Sequence, residues 1–168
     1  MNQATIRILF VCMGNICRSP AAHCVFQNLV DEAGLGDRIQ VDSAGTHGYH
    51  VGSPPDTRMQ AVLRKAGVPV ISGARQLVVD DFYAFERIFC MDEDNFRIAM
   101  RLRPVDAHAR LERFAECIAD PAIDHVPDPY YGDEGFDKVL AMVTRGCHNL
   151  LEQCRQELIG RSPFPDSH

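Results

Sequence analysis

At 168 residues, 46% of them apolar, the chain is long enough to bury a sizeable core and needs no domain boundary. A net charge of −6 without any basic run excludes a general nucleic-acid binder, and no apolar run approaches the length of a membrane span. Seven cysteines, odd in number and irregularly spaced, make no disulfide framework, and no signal peptide precedes the first predicted strand, so a reducing, cytoplasmic setting is expected.

Ile6, Ile8, Leu9, Phe10 and Val11 form a β-branched and aromatic run that predicts a short buried strand. Gly14 and Asn15 follow, two residues that tolerate left-handed backbone angles. The chain can therefore curl and aim the N–H groups of Met13, Gly14, Asn15, Ile16, Cys17, Arg18 and Ser19 into one anion-binding concavity. Ser19 has N-cap chemistry, Pro20 suits a first helical turn, and Ala21, Ala22, Val25, Phe26, Leu29 and Val30 recur at helical spacing. Cys12, at the strand's end, faces the positive end of that helix with Arg18 near by. Such surroundings lower a thiol pKa from about 8.5 into the range of roughly 3.5 to 7.5, giving a nucleophilic thiolate. The planar fork of Arg18 can hold two oxygens of a tetrahedral oxyanion, and the Ser19 hydroxyl can donate to the sulfur and help it leave.

Gly34-Leu35-Gly36 stops the first helix, and Ile39-Gln40-Val41 alternates into a second strand ending near Asp42-Ser43. Ser43 thus lies at the edge where open α/β sheets place their sites, and reads either as a brace behind the phosphate loop or as a plain strand-end serine. His47 to Pro55 is a loop whose large rings, Tyr49 and His50, either bind a ring substrate or stand idle on the surface. Asp56 to Ala66 predicts a helix with Met59, Val62, Leu63 and Ala66 inward; Asp80 to Phe85 predicts a short helical turn after an irregular segment. Arg87 to Met91 is a third strand ending at Asp92, which reads as the N-cap of a following helix in preference to a carboxylate orienting Arg18. Leu111 to Phe114 is a weak fourth strand, Asp120 to Pro127 a loop, and Phe136 to Ile159 a long helix with Val139, Val143, Cys147, Leu150 and Cys154 on one side.

Four short strands alternating with helices give an α/β fold class: a single-domain open four-stranded parallel sheet with helices on both faces and the phosphate-binding loop between the first strand and first helix. Residues 1–160 are expected to form the domain, with fraying from Gly160 onward and 161–168 as a flexible C-terminal tail.

Cleaving a phosphate ester with a thiolate requires a proton for the departing oxygen, and the histidine nearest Cys12 in sequence, His23, lies inside the first helix. Asp128, held between Pro127 and Pro129, is the candidate, although Asp-Pro is more often only a turn. Tyr130 and Tyr131 beside it would wall a phenolic leaving group. Cys17 reads either as a loop filler or as the thiol that caps oxidised Cys12 in a disulfide. Cys24, Cys90, Cys117, Cys147 and Cys154 read as core residues, and no Cys/His spacing suggests a metal or cofactor.

The stretch Val11-Cys12-Met13-Gly14-Asn15-Ile16-Cys17-Arg18-Ser19-Pro20 resembles the phosphate-binding loop of the low-molecular-weight protein tyrosine phosphatases, and Asp128-Pro129-Tyr130-Tyr131-Gly132 is a second match. Length and element order fit that family over nearly the whole chain. The resemblance implies metal-independent hydrolysis of phosphotyrosine in protein or peptide substrates through a cysteinyl-phosphate, with Asp128 as general acid. It also implies that Ser43 braces Asn15, that Tyr49 stands where the family varies an aromatic wall residue, and that Cys17 stands where part of the family carries a second cysteine. The rival expectations are an arsenate reductase of the same fold and a phosphate-binding module that has lost catalysis.

Overall fold

Alternation along the first strand decides the layering. In β1 (Ile6–Cys12), Ile6, Ile8, Phe10 and Cys12 join one apolar cluster while Leu9 and Val11 join another, as a strand covered on both faces requires. In the computed structural model, which describes residues 5–130 and 135–161, this strand lies inside a parallel sheet. It pairs with β2 (Ile39–Gly45) and β3 (Arg87–Cys90), and β4 (Arg110–Arg113) closes the order β2-β1-β3-β4. Helices α1 (Arg18–Glu32), α2 (Thr57–Lys65), α5 (Ala115–Ile118) and α6 (Phe136–Gly160) supply the first cluster. Phe82 of α3 (Asp81–Ala84) and Ala99 of α4 (Glu93–Leu102) enter the second. The fold is the expected doubly wound α/β sheet. Phe10 anchors the thicker layer, with the rings of Phe26, Phe89 and Phe114 at 5.8, 5.9 and 5.8 Å from its own.

Several boundaries differ from expectation for identifiable reasons. Helix α1 starts at Arg18, so Ser19 is inside the first turn and not the cap. Strand β2 runs on to Gly45 because its ladder with β1 continues as far as Cys12, and Gly45 also bridges to Gln76. Ala66 is exposed beyond the end of α2, and α5, too short to show a periodicity, went unread. Gly160 closes α6, and Arg161 just beyond it pairs with Glu86 at 2.5 Å and Glu157 at 3.0 Å. Residues 162–168 of the expected tail lie outside the described residues. Among the described residues, no helix is long and apolar enough to cross a membrane.

With β1 flanked by β2 on one side and β3 on the other, the loops after β1 and β3 diverge at the carboxyl edge. That divergence opens a crevice, the usual ligand position in such sheets.

Candidate active site

Cys12 ends β1, 3% exposed, and the chain then curls through Asn15, whose φ of 57° is left-handed. Gly14 has no such angle; its lack of a Cβ matters because one would stand 3.0 Å from His50 Cδ2. The loop turns its carbonyls outward. Cys12 and Met13 accept from the N–H groups of Thr46 and His47, both at 2.9 Å, and Ile16 accepts from Asp56 at 2.8 Å. Among the described residues, no N–H from Met13 to Arg18 donates to a main-chain acceptor, which leaves these donors open to an anion. Gly45 lets β2 back the loop closely, since a Cβ there would fall 2.7 Å from the Met13 carbonyl oxygen and 3.0 Å from the Gly14 carbonyl carbon.

The hydrogen bonds behind the loop have a fixed sense. Arg75 N–H donates to Asn15 Oδ1 at 3.0 Å, which turns the amide nitrogen toward Ser19 Oγ at 2.7 Å. The Ser19 hydroxyl, accepting there, keeps its proton for Cys12 Sγ at 3.0 Å or the more distant Ala44 carbonyl at 3.4 Å. Arg75 is itself gripped by both oxygens of Asp81 and by Asp42. Ser43 does not brace Asn15: its hydroxyl bonds His23 Nδ1 at 3.0 Å, and Arg75 and Ser19 do the bracing. Burial lowers the His23 pKa against the opposing pull of Asp42, so the imidazole is neutral at pH 7.

Arg18 is 2% exposed. Its Nη1 donates to Asp92 Oδ2 at 2.5 Å and to the Val126 carbonyl at 3.0 Å, and its Nη2 reaches Asp128 Oδ2 at 3.5 Å. Burial works against the guanidinium charge, but Cys12, Asp92 and Asp128 outweigh it and its pKa is raised. Asp92 realises both readings at once, because its Oδ1 caps α4 through the Asn95 N–H at 2.8 Å while Oδ2 takes Arg18. Asp128 likewise forms a turn, accepting the Tyr130 N–H at 3.0 Å on Oδ1, with Oδ2 toward Arg18. Val126 N–H to the Met91 carbonyl, at 2.8 Å, fixes this loop to the end of β3.

Cys12, Arg18 and Asp128 share a cavity of about 130 Å³ with Ile16, Cys17, Tyr49, His50 and Tyr130. That is far below the roughly 300 to 1,000 Å³ of sites that engulf a whole ligand, and suits one tetrahedral anion with part of a ring. Tyr49 is 75% exposed but stacks on His47 at 5.3 Å, and His50 meets Tyr130 at 5.9 Å, so each wall ring is backed by a second one. Tyr131 lies outside the described residues. Burial, then Asp56 and Cys12, push the Cys17 thiol well up, which leaves it a neutral thiol at pH 7.

The sequence profile of low molecular weight phosphotyrosine protein phosphatases matches residues 7–159. The chain belongs to that family. The human low molecular weight phosphotyrosine protein phosphatase is 41% identical over 155 residues, 90% of this chain and 97% of the human one. Among solved structures, YfkJ from Bacillus subtilis is 35% identical with a TM-score of 0.87, covering 94% of this chain and 99% of that one. A protein tyrosine phosphatase from Entamoeba histolytica is 36% identical with a TM-score of 0.86, covering 91% and 99%.

Within this phosphatase fold, three residues near the cavity escaped the sequence reading. Gly45 had a signal, a glycine at a strand end where another backbone comes close. Arg75 and Arg58 had none, since each acts through partners distant in sequence.

Proposed function

We propose that the chain hydrolyses aryl phosphate monoesters, phosphotyrosine in proteins and peptides foremost, through a cysteinyl-phosphate intermediate. The observation that carries this is the convergence of Cys12, Arg18 and Asp128, separated by up to 116 positions (128 − 12), on one small cavity edged by tyrosine rings. In the first step the Cys12 thiolate attacks phosphorus in line with the phenolic oxygen, forming the S–P bond as the P–O bond breaks. Arg18 and the loop N–H groups hold the equatorial oxygens, and Asp128 gives its proton to the departing oxygen. In the second step the Asp128 carboxylate takes a proton from water as that water attacks phosphorus. The S–P bond breaks, and the Ser19 hydroxyl, 3.0 Å from Sγ, steadies the leaving thiolate. Charge is handled by Arg18 and the main chain, so no metal is assigned a role.

An arsenate reductase would need a second thiol placed to relay a disulfide. Cys90 is buried on β3 with its pKa raised by burial, which suits it poorly to that relay. A binding module would need neither the thiolate nor the acid. The reading includes a cytoplasmic setting, supported by seven buried free thiols. The decisive measurement is metal-free hydrolysis of phosphotyrosine against phosphoserine peptides. Turnover of the first alone, abolished by Cys12→Ser, is expected; equal turnover of both would overturn the substrate class.

The same reading gives Cys17 a protective role. Peroxide converts the Cys12 thiolate to a sulfenic acid, and the Cys17 sulfur displaces water from it to form a disulfide that added thiol reverses. The raised pKa of Cys17 makes closure faster as pH rises. After peroxide and then dithiothreitol, Cys17→Ala is expected to recover several-fold less activity than wild type, and equal recovery would remove the role.

A further inference from the structure

We propose that Arg58 is a positioning residue for the general acid, a strut that joins the phosphate loop to loop 126–130 and fixes where the Asp128 carboxyl stands. The proposal rests on the assignment of Asp128 as the acid. Arg58 does not line the reaction cavity, so it acts through other groups.

A continuous chain of bonds runs between the two loops. The Ile16 carbonyl accepts the Asp56 N–H at 2.8 Å. The Asp56 carboxylate, itself fixed as the N-cap of α2, takes Arg58 in bidentate fashion, Nε at 3.1 Å and Nη2 at 3.0 Å. Arg58 Nη2 then donates to the Tyr130 carbonyl at 3.0 Å, 72 positions away, and the Tyr130 N–H holds Asp128 Oδ1. The guanidinium also lies 4.6 Å from the centre of the Phe136 ring and 5.8 Å from that of Tyr130.

An Asp–Arg pair two residues apart would ordinarily be a surface ornament worth little. What lifts this one above that is its third partner, a main-chain carbonyl two residues past the acid. Val126 anchors the near end of the acid loop through Met91 and Arg18; Arg58 anchors the far end. A carboxyl allowed to drift by about 1 Å loses much of its advantage in proton transfer, on the order of 10²-fold at the extreme. Only a planar fork can hold Asp56 and Tyr130 together, so Lys cannot replace it fully.

The experiment measures kcat/KM, which reports the steps up to departure of the leaving group, for Arg58→Gln, Arg58→Lys and Asp56→Asn over aryl phosphates of graded leaving-group acidity, with inhibition by inorganic phosphate alongside. Arg58→Gln should lose about 10-fold on phosphotyrosine but under about 2-fold on dinitrophenyl phosphate, which needs no proton. Phosphate inhibition should stay within about 2-fold, because the bond to the phosphate loop is main-chain. Arg58→Lys and Asp56→Asn should follow the same pattern more weakly, and they carry the test if Arg58→Gln does not fold. In an Asp128→Ala background, Arg58→Gln should cost nothing more. A uniform loss across the esters, or an undiminished loss in that background, overturns the strut. If Asp128→Ala itself lacks leaving-group dependence, the acid assignment falls and the strut with it. If Asp128→Ala has that dependence and the Arg58 and Asp56 variants do not, the strut alone falls.

Discussion

Residues 12–19 and residues 126–130 reach the same cavity by different means. The phosphate loop hangs between the central strand and α1, is backed by Gly45 and Thr46 of the neighbouring chain segment, and buries Asn15, Arg18 and Ser19 to 2% exposure or less. The acid loop has no secondary structure of its own, and Asp128 remains about a quarter exposed at its side chain. Its place is set by long-range bonds to Met91, Arg18 and Arg58. A nucleophile and an anion cradle must be rigid through both chemical steps, whereas an acid that becomes a base must stay in reach of water. The difference in construction follows that difference in task.

Removing the nucleophile should have the largest effect. Cys12→Ser is expected to lose on the order of 10⁴-fold or more in kcat on every aryl phosphate, whatever its leaving group, since no other activated nucleophile faces the anion. Asp128→Ala comes next, with a loss in kcat/KM of about 10²-fold on phosphotyrosine that fades as the leaving group becomes more acidic. A flat profile would mean that the two loops do not divide the work as described. Gly45→Ala inverts that pattern. A methyl 2.7 Å from the Met13 carbonyl must push the loop backbone. A uniform loss of about 10-fold, with weaker inhibition by phosphate, is therefore expected from a displaced cradle. An acid-type profile in this variant would break the comparison.

The mildest test concerns the rigid side alone. His23, behind the phosphate loop, is neutral in the folded chain, its pKa lowered by burial from an ordinary 6.5. As pH falls the unfolded chain binds that proton first. Its contribution to stability is therefore full above pH 6.5 and is lost as pH drops from there toward the lower folded value. Thermal unfolding of wild type at pH 7.5 and 5.5 should show a larger drop than His23→Gln. An equal drop would separate His23 from the acid sensitivity of the loop.

The same division explains what could be read from the chain. Cys12 to Ser19 was legible because turn formers, nucleophile and clamp lie within eight residues between a strand and a helix. The sheet was legible because β1 and β3 are apolar runs of strand length, and the last helix because α6 carries a helical period. Asp128 was legible only through its motif. The bonds that hold it were not, because Arg58 and Tyr130 are 72 positions apart and no local pattern joins them. Ser43 was misassigned for a related reason: a serine at a strand end has several neighbours in reach, and only packing decides that it meets His23 and not Asn15. Asp92 was framed as a choice between cap and clamp, where two carboxylate oxygens allow both.

Strand β1 is hydrogen-bonded on both sides over Ile8–Val11 and fully buried there, while the segment bearing Asp128 is tied down by a handful of bonds. Partial opening claims the less secured segment first. In urea below the unfolding midpoint, the molecule should therefore pass through a stage that still becomes phosphorylated on sulfur but no longer expels a poor leaving group. First-turnover release of dinitrophenolate would outlast that of tyrosine across that interval, and the gap between the two curves would gauge how far the enzyme has loosened before it melts.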